Sequence, residues 1–199
     1  MTVAEQIRYK RYKRAYDAFI ELYPFTLDNL DGEQWRDISG YEGFYQVSNF
    51  GRVKSFCRNK VTILKPILQR FGYLVVDLYK AGRHKSYRVH ILVAKAFIPN
   101  PDNKPEVNHT LGNKLDCSIW NLEWVTSAEN HRHALKLGLK KSGEETPRAR
   151  LTNEEAEYCR KVYIPRHKEF GVRALARKFN VNHKTISKII QGKMYIIAK

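Results

Sequence analysis

Val107-Asn-His109-Thr-Leu-Gly112-Asn-Lys-Leu-Asp-Cys117-Ser-Ile-Trp-Asn121-Leu-Glu-Trp-Val125-Thr-Ser-Ala-Glu-Asn130-His-Arg-His133 is a concentration of side chains that ligate metals or move protons. His109 ends a short extended piece, and Gly112-Asn113 supplies a turn. Leu122–Val125, apolar and rich in strand formers, reads as a second strand. Thr126 or Ser127 can then N-cap a helix that carries Asn130 and the histidines. The expected unit is strand, loop, strand, helix.

Upstream, Ile91–Phe97 reads as a helix stopped by Pro99 and Pro101. It follows a hairpin of Tyr73–Tyr79 and Ser86–His90 with its turn in Lys80–His84. Before that, Tyr45, Val47 and Val53 alternate around an Asn49-Phe-Gly51 turn, again two short strands. A basic segment, Ala4–Leu22, reads as a helix ending before Pro24, with five Lys and Arg in residues 8–14.

Downstream, Leu139–Arg150 is polar and linker-like. Thr152 with Glu154 and Glu155 opens a helix. Val172–Phe179, Asn180-Val181 and Asn182–Ile190 then carry a helix-turn-helix signature. Leu175, Ala176, Phe179, Val181, Ile186, Ile189 and Ile190 are its expected core. Asn182, His183, Lys184, Thr185 and Lys188 are left outward to reach base edges, with Arg173 and Arg177 on phosphates.

The expected fold class is α+β. Its parts are a basic helical arm (1–32), a small β module (33–84), a central core (85–139), a linker (140–150) and an all-α helix-turn-helix module (151–199).

The 199 residues carry 36 Lys and Arg against 20 Asp and Glu, a formal charge of +16. That excess points to a polyanionic partner, because cations that neutralise phosphates release condensed counterions. Its distribution is uneven: fifteen cations face six anions in 140–199, but only seven face five in 85–139. No apolar run is long enough to span a membrane, and the charged opening segment is no secretion signal. Three scattered cysteines, Cys57, Cys117 and Cys159, fit no disulfide framework, so a reducing cytoplasm is the expected compartment.

Asn108-His109, Asn121 and Asn130, with Leu122–Thr126 between the last two, resemble the ββα-metal motif of HNH endonucleases over roughly residues 88–137. Trp35–Phe56, with its Gly-Tyr-Glu-Gly-Phe-Tyr-Gln-Val-Ser-Asn run, resembles the small DNA-binding module that precedes this core in phage-encoded, intron-associated homing endonucleases. The resemblance implies that His109 is the general base and that Asn108 and Asn130 ligate one divalent cation, Mg²⁺ or Mn²⁺. It implies that Asn121 fixes the backbone carrying His109, that His133 ligates the metal or touches phosphate, and that His90 stands behind the reacting groups as support. Several relatives use Asp where this chain has Asn108, and a neutral amide is the weaker ligand.

The implied activity is site-selective hydrolysis of double-stranded DNA by a monomer that nicks one strand, in the bacterial host cytoplasm if phage-encoded. No protein partner is implied. The same segments would also suit a non-catalytic DNA-binding regulator on a degenerate HNH scaffold, or an RNA-binding protein.

Overall fold

A computed structural model describes residues 3–57 and 60–195. Positions 1–2 of the basic arm and 196–199 of the C-terminal module lie outside the described residues. The chain forms two compact units, Met1–Ser127 and Ala128–Lys199.

The first unit opens with helix α1 (Val3–Glu21). Tyr9, Tyr12, Tyr16 and Phe19, at helical spacing, pack against the core, and the Tyr16 hydroxyl donates to the Pro66 carbonyl at 2.7 Å. The exposed Ile7 lies off this face, and Lys13 pairs with Asp17 one turn on.

Four antiparallel strands follow in sequential order: β1 (Trp35–Asp37), β2 (Tyr45–Ser48), β3 (Val53–Ser55) and β4 (Thr62–Ile63). The β2–β3 turn is closed by Gly51 at φ +86°, a left-handed conformation that costs glycine no side-chain clash. A Cβ there would also sit 2.8 Å from Cys117 Cβ, so the turn presses directly on the loop after His109.

Arg52, beside that turn, is 1% exposed yet fully partnered. Its guanidinium pairs with both carboxylate oxygens of Glu33 and donates to the carbonyls of Pro24, Thr26 and Asp28 at 2.8–3.0 Å. One buried cation thereby ties the loop after α1 to the sheet.

A second sheet comprises β5 (Ile67–Leu68), β6 (Leu74–Lys80) and β7 (Arg83–Arg88). The β6–β7 turn is tighter than the five-residue reading. Lys80 already pairs with Arg83, and Ala81 and Gly82 make the bend at φ +51° and +74°. Backbone twist favours such a two-residue turn, which draws Lys80, Arg83 and His84 into the strands.

Strand β7 runs straight into helix α2 (Val89–Phe97), whose buried face is Val89, His90, Leu92, Val93 and Ala94. A two-stranded sheet, β8 (Glu106–His109) with β9 (Leu122–Val125), completes the unit. Trp124 Nε1 donates to the Ile98 carbonyl at 3.0 Å, holding β9 on the end of α2. Ile38, Val47, Val76, Leu78, Val93 and Leu122, drawn from all three sheets and α2, share one core.

Helix α3 (Ser127–Lys136) begins at the boundary of the units, which makes Thr126 its N-cap position. In the second unit, α4 (Asn153–Val162) starts with a capping box between Thr152 and Glu155. Helices α5 (Val172–Lys178) and α6 (His183–Ile190) are joined by four residues. Leu151, Ala156, Cys159, Leu175, Ala176, Ile186 and Ile189 form the unit's core, with Phe179, Val181 and Ile190 half-buried against it. The Arg160 side chain donates to the carbonyls of Ile189, Met194 and Tyr195, which covers the C-terminal end of α6.

Candidate active site

His109 is the last residue of β8, and the chain turns at once: Gly112 N–H bonds back to its carbonyl at 2.9 Å. The following loop is organised by Asn121, which is 1% exposed. Its Nδ2 donates to the carbonyls of Asn113 (3.0 Å) and Asp116 (2.8 Å), and its Oδ1 accepts from Leu111 N–H (2.8 Å) and the Thr110 hydroxyl (3.3 Å). Its own carbonyl receives Thr110 N–H at 2.9 Å. The central asparagine thus spans the whole loop that leaves His109.

The His109 ring is 5% exposed and its Nε2 has no hydrogen-bond partner among the described residues. Burial lowers its pKa to about 4; the Lys114 charge adds to this and Asp116 opposes it. The ordinary imidazole value expected from sequence therefore does not hold for the free protein. The ring is neutral at physiological pH, and a phosphodiester anion brought beside it would raise its proton affinity. Lys114 is itself held by the Phe71 carbonyl (2.9 Å) and sits 4.2 Å from the centre of the Tyr73 ring.

His90 packs against His109 with ring centres 4.7 Å apart, and its Nδ1 also lacks a partner. Burial first, then the charges of His109, Arg88 and Lys114, lower its pKa to about 3. The reading of His90 as a satisfied structural group needs correction, since one of its nitrogens is buried without a bond. Cys117, 3% exposed, completes the cluster, because one ligand atom from each of His90, His109 and Cys117 lies within 4.8 Å of the others.

Asn108 is paired across the sheet with Glu123, and its Nδ2 donates to a Glu123 carboxylate oxygen at 2.8 Å. A carboxylate only accepts, so this bond fixes which end of the Asn108 amide is nitrogen and leaves its oxygen as the metal-binding end. Glu123 and Cys117 are the residues that the sequence reading passed over. The signal for Glu123 was present: in a two-stranded pairing, the residue after Leu122 comes opposite the one before His109.

The structure brings His109, Asn108, Asn121 and His90 together in the first unit. Asn130 and His133 belong to the second, both half-buried on α3. There too, Arg173, Arg177, Asn182 and His183 line one hollow with Ala176, Asn180 and Val181. Lys184 and Lys188 are exposed on α6 and Thr185 is half-buried. Asn182 is also the N-cap of α6, its Oδ1 accepting from Lys184 N–H at 2.8 Å, which leaves its amide nitrogen for other contacts.

A second cationic surface, on β7, was not singled out from sequence. Arg83, His84, Lys85 and Arg88 are all exposed along one hairpin strand. No helix among the described residues is long and apolar enough to cross a membrane.

Comparison with known proteins places these features in one lineage. Residues 33–79 match the NUMOD4 motif and residues 87–132 match the HNH endonuclease family. The DNA endonuclease I-HmuI of Bacillus phage SP01 is 36% identical over 122 residues, covering 61% of this chain and 69% of that protein. The HNH endonuclease L247 of Acanthamoeba polyphaga mimivirus is 44% identical over 108 residues, 52% of this chain but 26% of its own. The H-N-H endonuclease F-TflII of Escherichia phage T5 is 36% identical over 90 residues, 44% of this chain and 45% of its own. A solved structure described as DNA binding and cleavage by the HNH homing endonuclease I-HmuI superposes with a TM-score of 0.50 at 26% identity, covering 80% of this chain and 91% of that one. With a histidine ending the first strand, an asparagine closing the loop behind it, and a relative matched over more than two thirds of its length, the chain belongs to the HNH endonuclease family.

Proposed function

We propose that this chain is a site-selective DNA endonuclease of the homing type, in which His109 takes a proton from the water that attacks the scissile phosphate. The observation that carries this reading is the neutral, desolvated His109 ring with an unengaged Nε2, on a strand end fixed by the four side-chain bonds of Asn121.

Asn108 would hold one divalent cation, Mg²⁺ or Mn²⁺, and the family pattern gives Asn130 the other ligand position. The residues fit a hard ion, since Asn108 offers its carbonyl oxygen and the Glu123 carboxylate adds negative charge beside it. When bound, such a cation supplies Lewis-acid stabilisation of charge on the leaving 3′ oxygen. His133 is positioned on α3 one turn after Asn130, for metal or phosphate.

The basic helix pair of the second unit would read DNA, with Asn182, His183, Lys184, Thr185 and Lys188 at base edges and Arg173 and Arg177 on phosphates. One such centre in a monomer cuts one strand.

Supercoiled plasmid libraries incubated with wild type or His109→Ala in Mg²⁺, Mn²⁺ or EDTA test this. Metal-dependent open circles are expected from the wild type, and a loss of at least about a hundredfold in the variant with DNA affinity intact. Equal cleavage by both proteins would overturn the assignment of the base. Linear product would replace the single nick by paired action.

A further inference from the structure

His90 on α2, His109 at the end of β8 and Cys117 in the loop between the strands come from three separate segments of the first unit. Their ligand atoms lie within 4.8 Å of one another, and their exposures are 2%, 5% and 3%. Two of those atoms, His90 Nδ1 and His109 Nε2, have no hydrogen-bond partner among the described residues. The Cys117 sulfur receives the backbone N–H of His90 and otherwise approaches only the Lys114 carbonyl, at 4.0 Å.

Two desolvated ring nitrogens facing one thiol are costly unless something satisfies them. The hydrolytic reading uses one of those nitrogens and gives no role to His90 Nδ1 or Cys117. Two imidazoles and a thiolate form a borderline-soft set with no oxygen donor, which suits Zn²⁺ or Co²⁺ and disfavours Mg²⁺. Tetrahedral bonds of roughly 2.0–2.3 Å set ligand separations on the order of 3.5 Å, so closure requires a contraction of about 1 Å.

We propose that His90, His109 and Cys117 form a second metal site, selective for Zn²⁺-like cations, whose occupation engages His109 and switches off cleavage. Binding forms three metal–ligand bonds through the two ring nitrogens and the sulfur, and the thiol proton leaves to solvent. The fourth position is open to water. The inhibitory consequence rests on the assignment of His109 as base; the site itself does not.

Metal-free full-length protein titrated with Co²⁺ provides the test. The expected result is a tetrahedral cobalt spectrum with a sulfur-to-cobalt charge-transfer band, displaced by one equivalent of Zn²⁺. Cys117→Ala should abolish that band and weaken binding at least about tenfold. The substitution keeps the Cβ against which Gly51 packs, and an unchanged melting temperature would show that the fold survives. His90→Gln, independently, should weaken cobalt binding to a similar degree. Equimolar Zn²⁺ should stop Mg²⁺-dependent cleavage by the wild type and leave that of Cys117→Ala untouched. No cobalt binding, a spectrum without the sulfur band, or a band unaltered in Cys117→Ala would each overturn the site. Zinc bound through Cys117 with cleavage continuing would leave the site standing and overturn both its inhibitory role and His109 as the base.

Discussion

Asn121 uses both ends of its amide against four partners, and no other side chain of that size offers two donors and two acceptors in one plane. Asn121→Asp keeps the acceptor for Leu111 N–H but turns an anionic oxygen toward the carbonyls of Asn113 and Asp116. We expect Asn121→Asp to be as destabilising as Asn121→Ala, each by about 2–4 kcal/mol in denaturant unfolding. A markedly milder effect for the aspartate would show that the two donated bonds contribute little. Glu123 makes a different prediction, because its charge compensates for a neutral amide at position 108. Glu123→Gln should weaken Mn²⁺ binding about tenfold by electron paramagnetic titration. In an Asn108→Asp background the same change should instead strengthen it, since two facing carboxylates repel. The same sign in both backgrounds would rule out the pairing.

Among elements, the loop between α1 and β1 depends on Arg52. Burial pushes the Glu33 carboxyl up, yet hydrogen bonds from Arg52, Ser48 and Leu30 N–H outweigh it and hold the net pKa below the ordinary carboxylate value. A group depressed on folding adds stability that is fully present above its unfolded pKa, about 4.3, and disappears as pH falls through the folded value. The melting temperature should therefore drop as pH is lowered below that range, and Glu33→Gln should flatten this acid limb. At neutral pH the same variant should cost about 3–5 kcal/mol, because Arg52 is left buried without its counter-charge. An acid limb unchanged in the variant would place the effect on other carboxylates.

At the scale of the whole molecule, affinity for DNA is governed by net charge and specificity by a few outward groups. Lys184→Ala with Lys188→Ala should weaken DNA binding and lower the steepness of log affinity against log salt by about 2. Site choice should relax while slow cleavage persists, as sequencing of plasmid ends would reveal. A salt slope identical to that of the wild type would remove α6 from the interface and direct attention to the cations of β7.

The elements around the site were legible because periodicity and caps are local. A histidine before a glycine turn, the alternation of Leu122–Val125, the Thr152 cap and the isoleucines of α6 each report on neighbours a few residues away. The sequence by itself determined the strand, loop, strand, helix order and, through the spacing of Asn108-His109 to Asn121, the family. Tertiary structure alone decided the rest. Desolvation takes His109 far from its ordinary pKa, and no local pattern encodes how deeply a ring is covered. Strand register sets Glu123 against Asn108, and Gly51 presses on Cys117 across 66 positions of sequence. The segments read as a β module and a separate core share one set of buried side chains. Burial, register and contact between distant segments arise only when the chain closes on itself, and so the electrostatics of the site had to wait for the fold.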